Sequence, residues 1–213
     1  HYLSQRQQYV TYNGYMSTNL PITCGVPQGS ILGPFLFLCY INVSNLITPL
    51  IFADDTNLFI NAKDPNTLIT TLNEELIKVT DWTNANKLSL NTEKTKYILF
   101  SKPRTHVVSN TQLILNNEVI SCLQYVKFLG VYIDNKLTWN IHINHICKKI
   151  SKGIGKICKA RKSLNNKTLV TLYYSFVHPY VTYGIETWGK SINNYLSSVF
   201  KLQKKVVRII SHV

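Results

Sequence analysis

The sequence predicts an α+β chain in which antiparallel hairpins give way to a helical, basic last third. Three observations predict it. Asn13-Gly14, Asn116-Asn117 and the acidic pair Asp54-Asp55 each separate short apolar runs, the mark of hairpins. Apolar residues recur every three to four positions over Leu68–Trp82, Ile143–Ile157 and Tyr195–Ile209, as in helices with one buried face. Charge is divided unevenly, residues 1–93 balancing to −3 and residues 94–213 to +16.

His1–Leu20 is polar and tyrosine-rich and reads as a short helix end followed by a hairpin turning at Asn13-Gly14. In Thr23–Pro34, TCGVPQGSILGP, Pro27 stiffens the chain while Gly25 and Gly29 leave backbone N–H groups open to a ligand. Gly33 and Pro34 are the expected N-cap and first position of an apolar helix, Pro34–Leu46, whose all-round hydrophobicity predicts burial beneath a sheet. A glycine-rich loop feeding a helix start is a common phosphate cradle. Ile51–Ile60, IFADDTNLFI, predicts two strands with Asp54-Asp55 at the tip. Adjacent carboxylates repel unless a cation stands before them, and Mg²⁺ favours one or two carboxylates plus substrate phosphates. Taken alone, the same stretch also suits an ordinary acidic turn.

Asp64-Pro65-Asn66 starts a helix running to about Ala85, with Leu68, Leu72, Leu76, Val79 and Trp82 as its core face. Asn91–Lys96 leads into a strand, Tyr97–Phe100, and residues 101–111 are a loop. Leu113–Leu115 and Glu118–Ser121 flank Asn116-Asn117 as a hairpin. Tyr125–Asp134 predicts a further strand pair in which Gly130 permits close backbone approach.

From Leu137 the chain is largely helical. Ile143, Ile146, Ile150, Ile154 and Ile157 form an apolar stripe, and Lys148, Lys149, Lys152, Lys156, Lys159, Arg161 and Lys162 take the other faces. Gly153 and Gly155 each weaken such a helix by about 1 kcal/mol relative to alanine, which suits close backbone approach or local flexing. Asn165 or Asn166 caps the next helix, whose core face is Leu169, Leu172, Tyr173 and Phe176 and which stops before Pro179. Pro179–Gly189 is aromatic and reads as irregular. The last helix sets Tyr195, Val199, Leu202, Val206 and Ile209 on one side and Lys201, Lys204, Lys205 and Arg208 on another.

At 213 residues and 45% hydrophobic, the chain suits one large domain or two small ones and is not disordered in composition. Its net charge is +13, and no acidic residue lies between Asp134 and Glu186. Uncompensated lysines over that length favour phosphate contact, hence a nucleic-acid partner. A solvated charged face and a basic membrane-binding surface are the competing readings. Five scattered cysteines without a C-x-x-C pair argue for reduced thiols in a nuclear or cytoplasmic protein. His142, His145 and Cys147 have metal-like spacing, but with no second pair they read as helix surface rather than a zinc site. The longest apolar run, Ile31–Ile41, is short and broken by Gly33-Pro34, so neither a membrane span nor a signal peptide is expected.

GVPQGS followed 25 residues after Gly29 by Asp54, in FADD, closely resembles the reverse transcriptases of non-LTR (LINE-like) retrotransposons. Viral RNA replicases usually carry a different loop and a Gly-Asp-Asp turn. Tyr2-Leu3-Ser4, Arg6, Gln8 and Val10 match a further family element, as do Asn91–Thr95 and Phe128-Leu129-Gly130. The family's Y-I-N-D-L is altered here to Tyr40-Ile41-Asn42-Val43-Ser44-Asn45-Leu46. The resemblance is strong to Ile133 and looser beyond.

The resemblance implies part of a right-hand polymerase: a partial palm, an antiparallel sheet with packed helices, over 1–134, then a helical basic thumb over 135–213. It implies RNA-directed DNA synthesis, with RNA template, DNA primer and deoxynucleotides as partners and two Mg²⁺ ions held by Asp54 and Asp55. Gln28 and Gly29 would line the nucleotide site, Phe52 would pack beside it, and Lys94 would approach the departing pyrophosphate. Gly130 would lie at the hairpin tip that cradles the primer end, and Lys148, Lys149, Lys152, Lys156, Lys159 and Lys162 would meet the duplex. Arg6 suits either phosphate contact or a solvated surface, and Lys94 suits a plain surface position before a strand better than the pyrophosphate role. The family places a further catalytic aspartate upstream of the glycine loop, where the 24 residues before Gly25 hold no acid. Residues 1–213 alone are therefore expected to bind nucleic acid without polymerising. The rival reading is a catalytically inactive nucleic-acid-binding remnant of such a polymerase.

Overall fold

Three hairpins, at Asn13-Gly14, Asn116-Asn117 and Leu129-Gly130, turn on residues with left-handed backbone, and strands among the described residues pair two by two. The computed structural model describes residues 4–23, 25–27, 29–40, 48–52, 55–101, 112–190 and 193–211. The chain divides into two compact units, 1–90 and 91–213.

In the first unit β1 (Gln7–Gln8) pairs antiparallel with β4 (Leu20–Pro21). Between them β2 (Thr11–Tyr12) and β3 (Tyr15–Met16) close on Asn13 and Gly14, at φ 48° and 80°, as a two-residue hairpin of this kind requires. No helix precedes this hairpin among the described residues: Ser4 and Gln5 bend directly into β1.

Helix α1 spans Leu32–Tyr40, beginning before the expected Gly33-Pro34 start. Ser30 causes the shift, since its Oγ accepts from the Gly33 N–H at 3.1 Å and satisfies an orphan donor of the first turn. The expected burial of this helix is also not found at its start. Phe35 is 61% exposed, and Leu32 is exposed with it. An apolar helix is buried only where a broad layer covers it. The expected antiparallel sheet takes the form of small two-stranded antiparallel pairs among the described residues. Pro21 in β4 and Pro49 in β5 (Thr48–Phe52) donate no ladder bond, which suits edge strands.

β5 pairs with β6 (Asp55–Phe59) from Thr48↔Phe59 to Phe52↔Asp55. Helix α2, Pro65–Ala85, starts as expected: Asp64 is its N-cap, accepting from the Thr67 N–H at 2.9 Å. Its deepest line is Ile69, Leu76, Val79 and Thr83, with Leu68, Leu72 and Trp82 half-buried at the margin. The expected core face is thus rotated slightly. Buried Glu75 pairs with Lys78 at 2.6 Å.

In the second unit the expected strand Tyr97–Phe100 reduces to one parallel bridge, Tyr97↔Cys122. The rest has no partner strand among the described residues. β7 (Ile114–Leu115) and β8 (Glu118–Val119) turn on Asn116 and Asn117, both left-handed. β9 (Tyr125–Phe128) and β10 (Val131–Asp134) turn on Leu129 and Gly130, at φ 45° and 86°.

Helix α3 (Asn140–Ala160) packs against α4 (Asn166–Phe176), α5 (His178–Thr182) and α7 (Asn193–Ser211); α6 is Ile185–Trp188. The expected stripe Ile143–Ile157 is buried throughout and joins Leu169, Val177, Val181, Trp188, Val199 and Val206 in one core. Full burial of each such side chain contributes about 1.5–3 kcal/mol. Asn165 caps α4 through a bond from the Thr168 N–H at 2.9 Å. The segment expected to be irregular after Pro179 instead makes the short helices α5 and α6. Proline at the first turn of α5 and left-handed Gly184 before α6 allow two such turns in succession. β10 also packs on α3, so the β9–β10 pair and the helices lie in one compact unit, 91–213.

The two helix glycines separate cleanly. A Cβ on Gly153 would stand 2.5 Å from the Phe176 carbonyl oxygen, whereas one on Gly155 would meet nothing within 4 Å. Gly153→Ala should lower stability by about 1–3 kcal/mol, and Gly155→Ala should raise it by up to about 1 kcal/mol, in denaturant unfolding.

Candidate active site and nucleic-acid interface

The acidic hairpin places Asp55 at the first position of β6, opposite Phe52. Ala53 and Asp54 lie outside the described residues, so the acidic pair is represented by Asp55. The side chain of Asp55 is exposed and has no hydrogen-bond or ion-pair partner among the described residues. Phe52 is 59% exposed on the paired strand. Asn57 steadies the ladder by donating to the Leu50 carbonyl at 3.3 Å.

The glycine loop requires its glycines for conformation. Gly25 and Gly29 stand at φ 77° and 74°, and nothing lies within 4 Å of a Cβ built on either. Gln28 lies outside the described residues. The guanidinium of Arg6 donates to the Gly25 carbonyl, so this side chain braces the loop. Lys94, exposed in the second unit, sits in a turn capped by Asn91, whose Oδ1 accepts from the Lys94 N–H at 3.0 Å.

No group of three His, Cys, Asp or Glu that could hold a metal ion is assembled among the described residues. His142 and His145 do not make such a site with Cys147. His142 is buried rather than on the helix surface, because its Nδ1 accepts from the Tyr132 N–H at 3.3 Å and its ring packs edge-on to Trp188. The donor chemistry suited to Mg²⁺ is the hard carboxylate oxygen of Asp55, beside Asp54 in sequence.

The basic surface belongs to α3 and α7. At about 100° per residue, Lys148, Lys149, Lys152, Lys156, Lys159 and, just beyond the helix, Lys162 fall on one side of α3, opposite the isoleucines. All six are exposed. An open depression of about 580 Å³ on that side is lined by Asn144, Cys147, Lys148, Ser151 and Lys152. Lys156 lies 4.3 Å over the Phe176 ring and Lys204 4.6 Å over that of Phe200. Lys201, Lys204, Lys205 and Arg208 are exposed along α7.

Three residues of structural weight escaped the sequence reading. Asp134, buried at the end of β10, accepts from the N–H groups of Lys136, Thr138 and Trp139 and from the Thr138 hydroxyl. Its isolation as the last acid before Glu186 was the available signal. Tyr183 reaches the tip at Leu129-Gly130, and His142 faces Trp188; both are contacts between residues far apart in sequence.

The reverse transcriptase (RNA-dependent DNA polymerase) family model matches residues 2–133. The RNA-directed DNA polymerase from mobile element jockey of Drosophila melanogaster is 30% identical over 99% of this chain and 24% of its own length. The probable RNA-directed DNA polymerase from transposon X-element of the same species is 23% identical over equal shares. A jockey polymerase from Drosophila funebris is 28% identical over 97% of the chain. The chain spans about a quarter of the length of these curated relatives. No solved structure matches it.

Burial, aided by the charge of neighbouring His145, holds the His142 imidazole below its ordinary pKa. Burial and then Lys149, Lys127 and Lys148 do the same to His145. Folding therefore favours both neutral rings, while the unfolded chain takes up protons first as pH falls below about 6.5. Stability should be full above that pH and decline below it, down to the folded midpoints. Denaturant unfolding at neutral and mildly acidic pH checks the sign. NMR titration should find both midpoints low, with salt raising that of His145 by screening its lysines.

Proposed function

Since this chain belongs to the reverse transcriptase family, we propose that it works in RNA-directed DNA synthesis, with residues 1–134 part of the palm and residues 135–213 the thumb. The observation that carries the reading is the pairing of GVPQGS with the hairpin opened by Asp55, whose carboxylate meets no described protein partner. Asp54 and Asp55 would hold two Mg²⁺ ions, with water and nucleotide phosphates completing the shells. Bound there, the ions supply charge stabilisation to the attacking 3′-oxygen and the leaving pyrophosphate. The chain's own groups bind and orient. Gln28 and the N–H groups flanking Gly29 would line the nucleotide site and Phe52 would pack beside the base or sugar, while Lys94 matches by sequence the family's lysine for the departing pyrophosphate.

The β9–β10 tip, with Gly130, seats the primer end. Lys148, Lys149, Lys152, Lys156, Lys159 and Lys162 hold the RNA–DNA duplex through phosphates, as do the cations of α7. The array of the six lysines on one side of α3 supports the reading, because such a field attracts polyanion whatever its sequence. A nuclear or cytoplasmic location fits the free thiols Cys122, Cys147 and Cys158. Among the described residues no helix is long and apolar enough to cross a membrane.

Two measurements test the division of labour in the protein carrying this chain. Asp54→Asn and Asp55→Asn should each remove nucleotide addition while leaving duplex affinity nearly intact. The loss should exceed the roughly 10–100-fold that follows removal of a metal's outer-shell partner. Normal extension by either variant shows that residue is not a ligand, and a protein that binds duplex yet never extends is the inactive remnant. Converting Lys149, Lys152 and Lys156 to alanine should flatten the log–log salt dependence of binding by about 0.9 for each phosphate no longer neutralised, on the B-form scale. An unchanged slope removes these lysines from the interface.

A further inference from the structure

The segment around α5 and α6 takes no part in the proposed chemistry, yet it grips the hairpin tip. The Tyr183 hydroxyl donates to the Leu129 carbonyl at 2.5 Å. The Tyr183 ring lies 3.3 Å from where a Cβ on Gly130 would stand. Leu129 has φ 45°, a left-handed conformation that a bulky L-residue keeps only under constraint. The next residue braces the corner from the side. Gly184, at φ 64°, brings the backbone so close that the Val131 Cγ2 would stand 3.2 Å from a Cβ there. Behind it, Trp188 is 1% exposed and donates from Nε1 to the Tyr183 carbonyl at 2.9 Å. Tyr183 itself is 57% exposed, so core packing does not explain its placement.

Resting on the reading that this tip seats the primer end, we propose that Tyr183 is a positioning residue that locks the Leu129-Gly130 tip to the helical bundle. The hydroxyl fixes the carbonyl of the strained residue and the ring covers the glycine beside it. The tip cannot tilt without displacing Tyr183, and Trp188, itself in the core, ties down the Tyr183 backbone through its carbonyl. The primer terminus is then held in register with the lysine-bearing helices that carry the duplex.

Tyr183→Phe keeps the ring and deletes the bond. In the protein carrying this chain, amide exchange at residues 129–131 should quicken about three- to tenfold, with thermal unfolding little changed. The kcat for single-nucleotide addition should fall by a similar factor while KM for nucleotide and duplex affinity hold. A fluorescent base analogue at the primer 3′ end should report a changed environment, and one far upstream should not. Tyr183→Leu, which also removes the ring, should exaggerate each effect. Unchanged exchange and unchanged kcat in Tyr183→Phe overturn the lock. Leu129→Asp tests the premise separately: it should weaken duplex binding and alter the terminal fluorescence. If Leu129→Asp binds and extends as the parent does, the tip does not touch the primer, and the proposal falls with that reading whatever the amide exchange shows.

Discussion

A buried carboxylate holds the corner on which the second unit depends. Asp134, only 6% exposed, ends β10 and accepts hydrogen bonds from three backbone N–H groups and one hydroxyl within the next five residues. The corner needs them, because Leu137 and Trp139 both have left-handed backbone, at φ 53° and 63°. Such conformations cost about 1–3 kcal/mol each and persist where the surroundings over-determine them. The dependence is mutual, since a buried carboxylate without donors would be more costly still. With the corner set, α3 leaves the hairpin in a fixed direction, and His142 near its start meets the Tyr132 N–H.

That direction decides where the charge goes. The isoleucines of α3 are buried, so the lysines must face outward, and Gly153 lets the end of α4 come against α3 without a side chain between them. Like charges three and four residues apart weaken a helix by a few tenths of a kcal/mol per pair. Lys148, Lys152 and Lys156 make such pairs with no acid nearby in sequence. The apolar face outweighs this repulsion, and the Phe176 ring beneath Lys156 relieves part of it. What remains is a standing attraction for polyanion.

Legibility in the sequence followed the range of the interactions. Hairpins set by Asn13-Gly14 and Asn116-Asn117, the helix start at Asp64 and the α3 stripe are decided within a few residues and are legible, while of the two candidate caps for α4 the structure uses Asn165. The start of α1 was misplaced because a hydroxyl three residues upstream of Gly33, on Ser30, competes with proline as a start signal. Tyr97–Phe100 looked like a strand by composition, but a strand needs a partner, and one bridge is all that forms among the described residues. The helices after Pro179 were missed because aromatic residues there are placed by distant contacts, Tyr183 with Leu129 and Trp188 with His142. In the candidate site the motifs were legible and their contacts were not. Arg6 bonds to the Gly25 carbonyl, a contact 19 residues away that no local pattern announces.

The aspartates show how the same side chain is given different work. Asp64 is occupied by the Thr67 N–H and hydroxyl, which also hold its pKa below the ordinary carboxylate value. Asp134 is occupied by four donors. Both are structural, their lone pairs already taken by the fold. Asp81 is exposed on α2 but stands alone in sequence. Asp55 differs from all three: it is exposed, it meets no described donor, and a second aspartate precedes it directly. A lysine beside it would have formed an ion pair and competed with any metal. In this chain the lysines instead concentrate after Glu93, while the Asp54-Asp55 pair sits in a first unit of net negative charge. The proposed function needs a cation at one site and a polyanion at another, and such a protein gains by keeping the two charges from neutralising each other. The uneven sequence does this before any folding takes place.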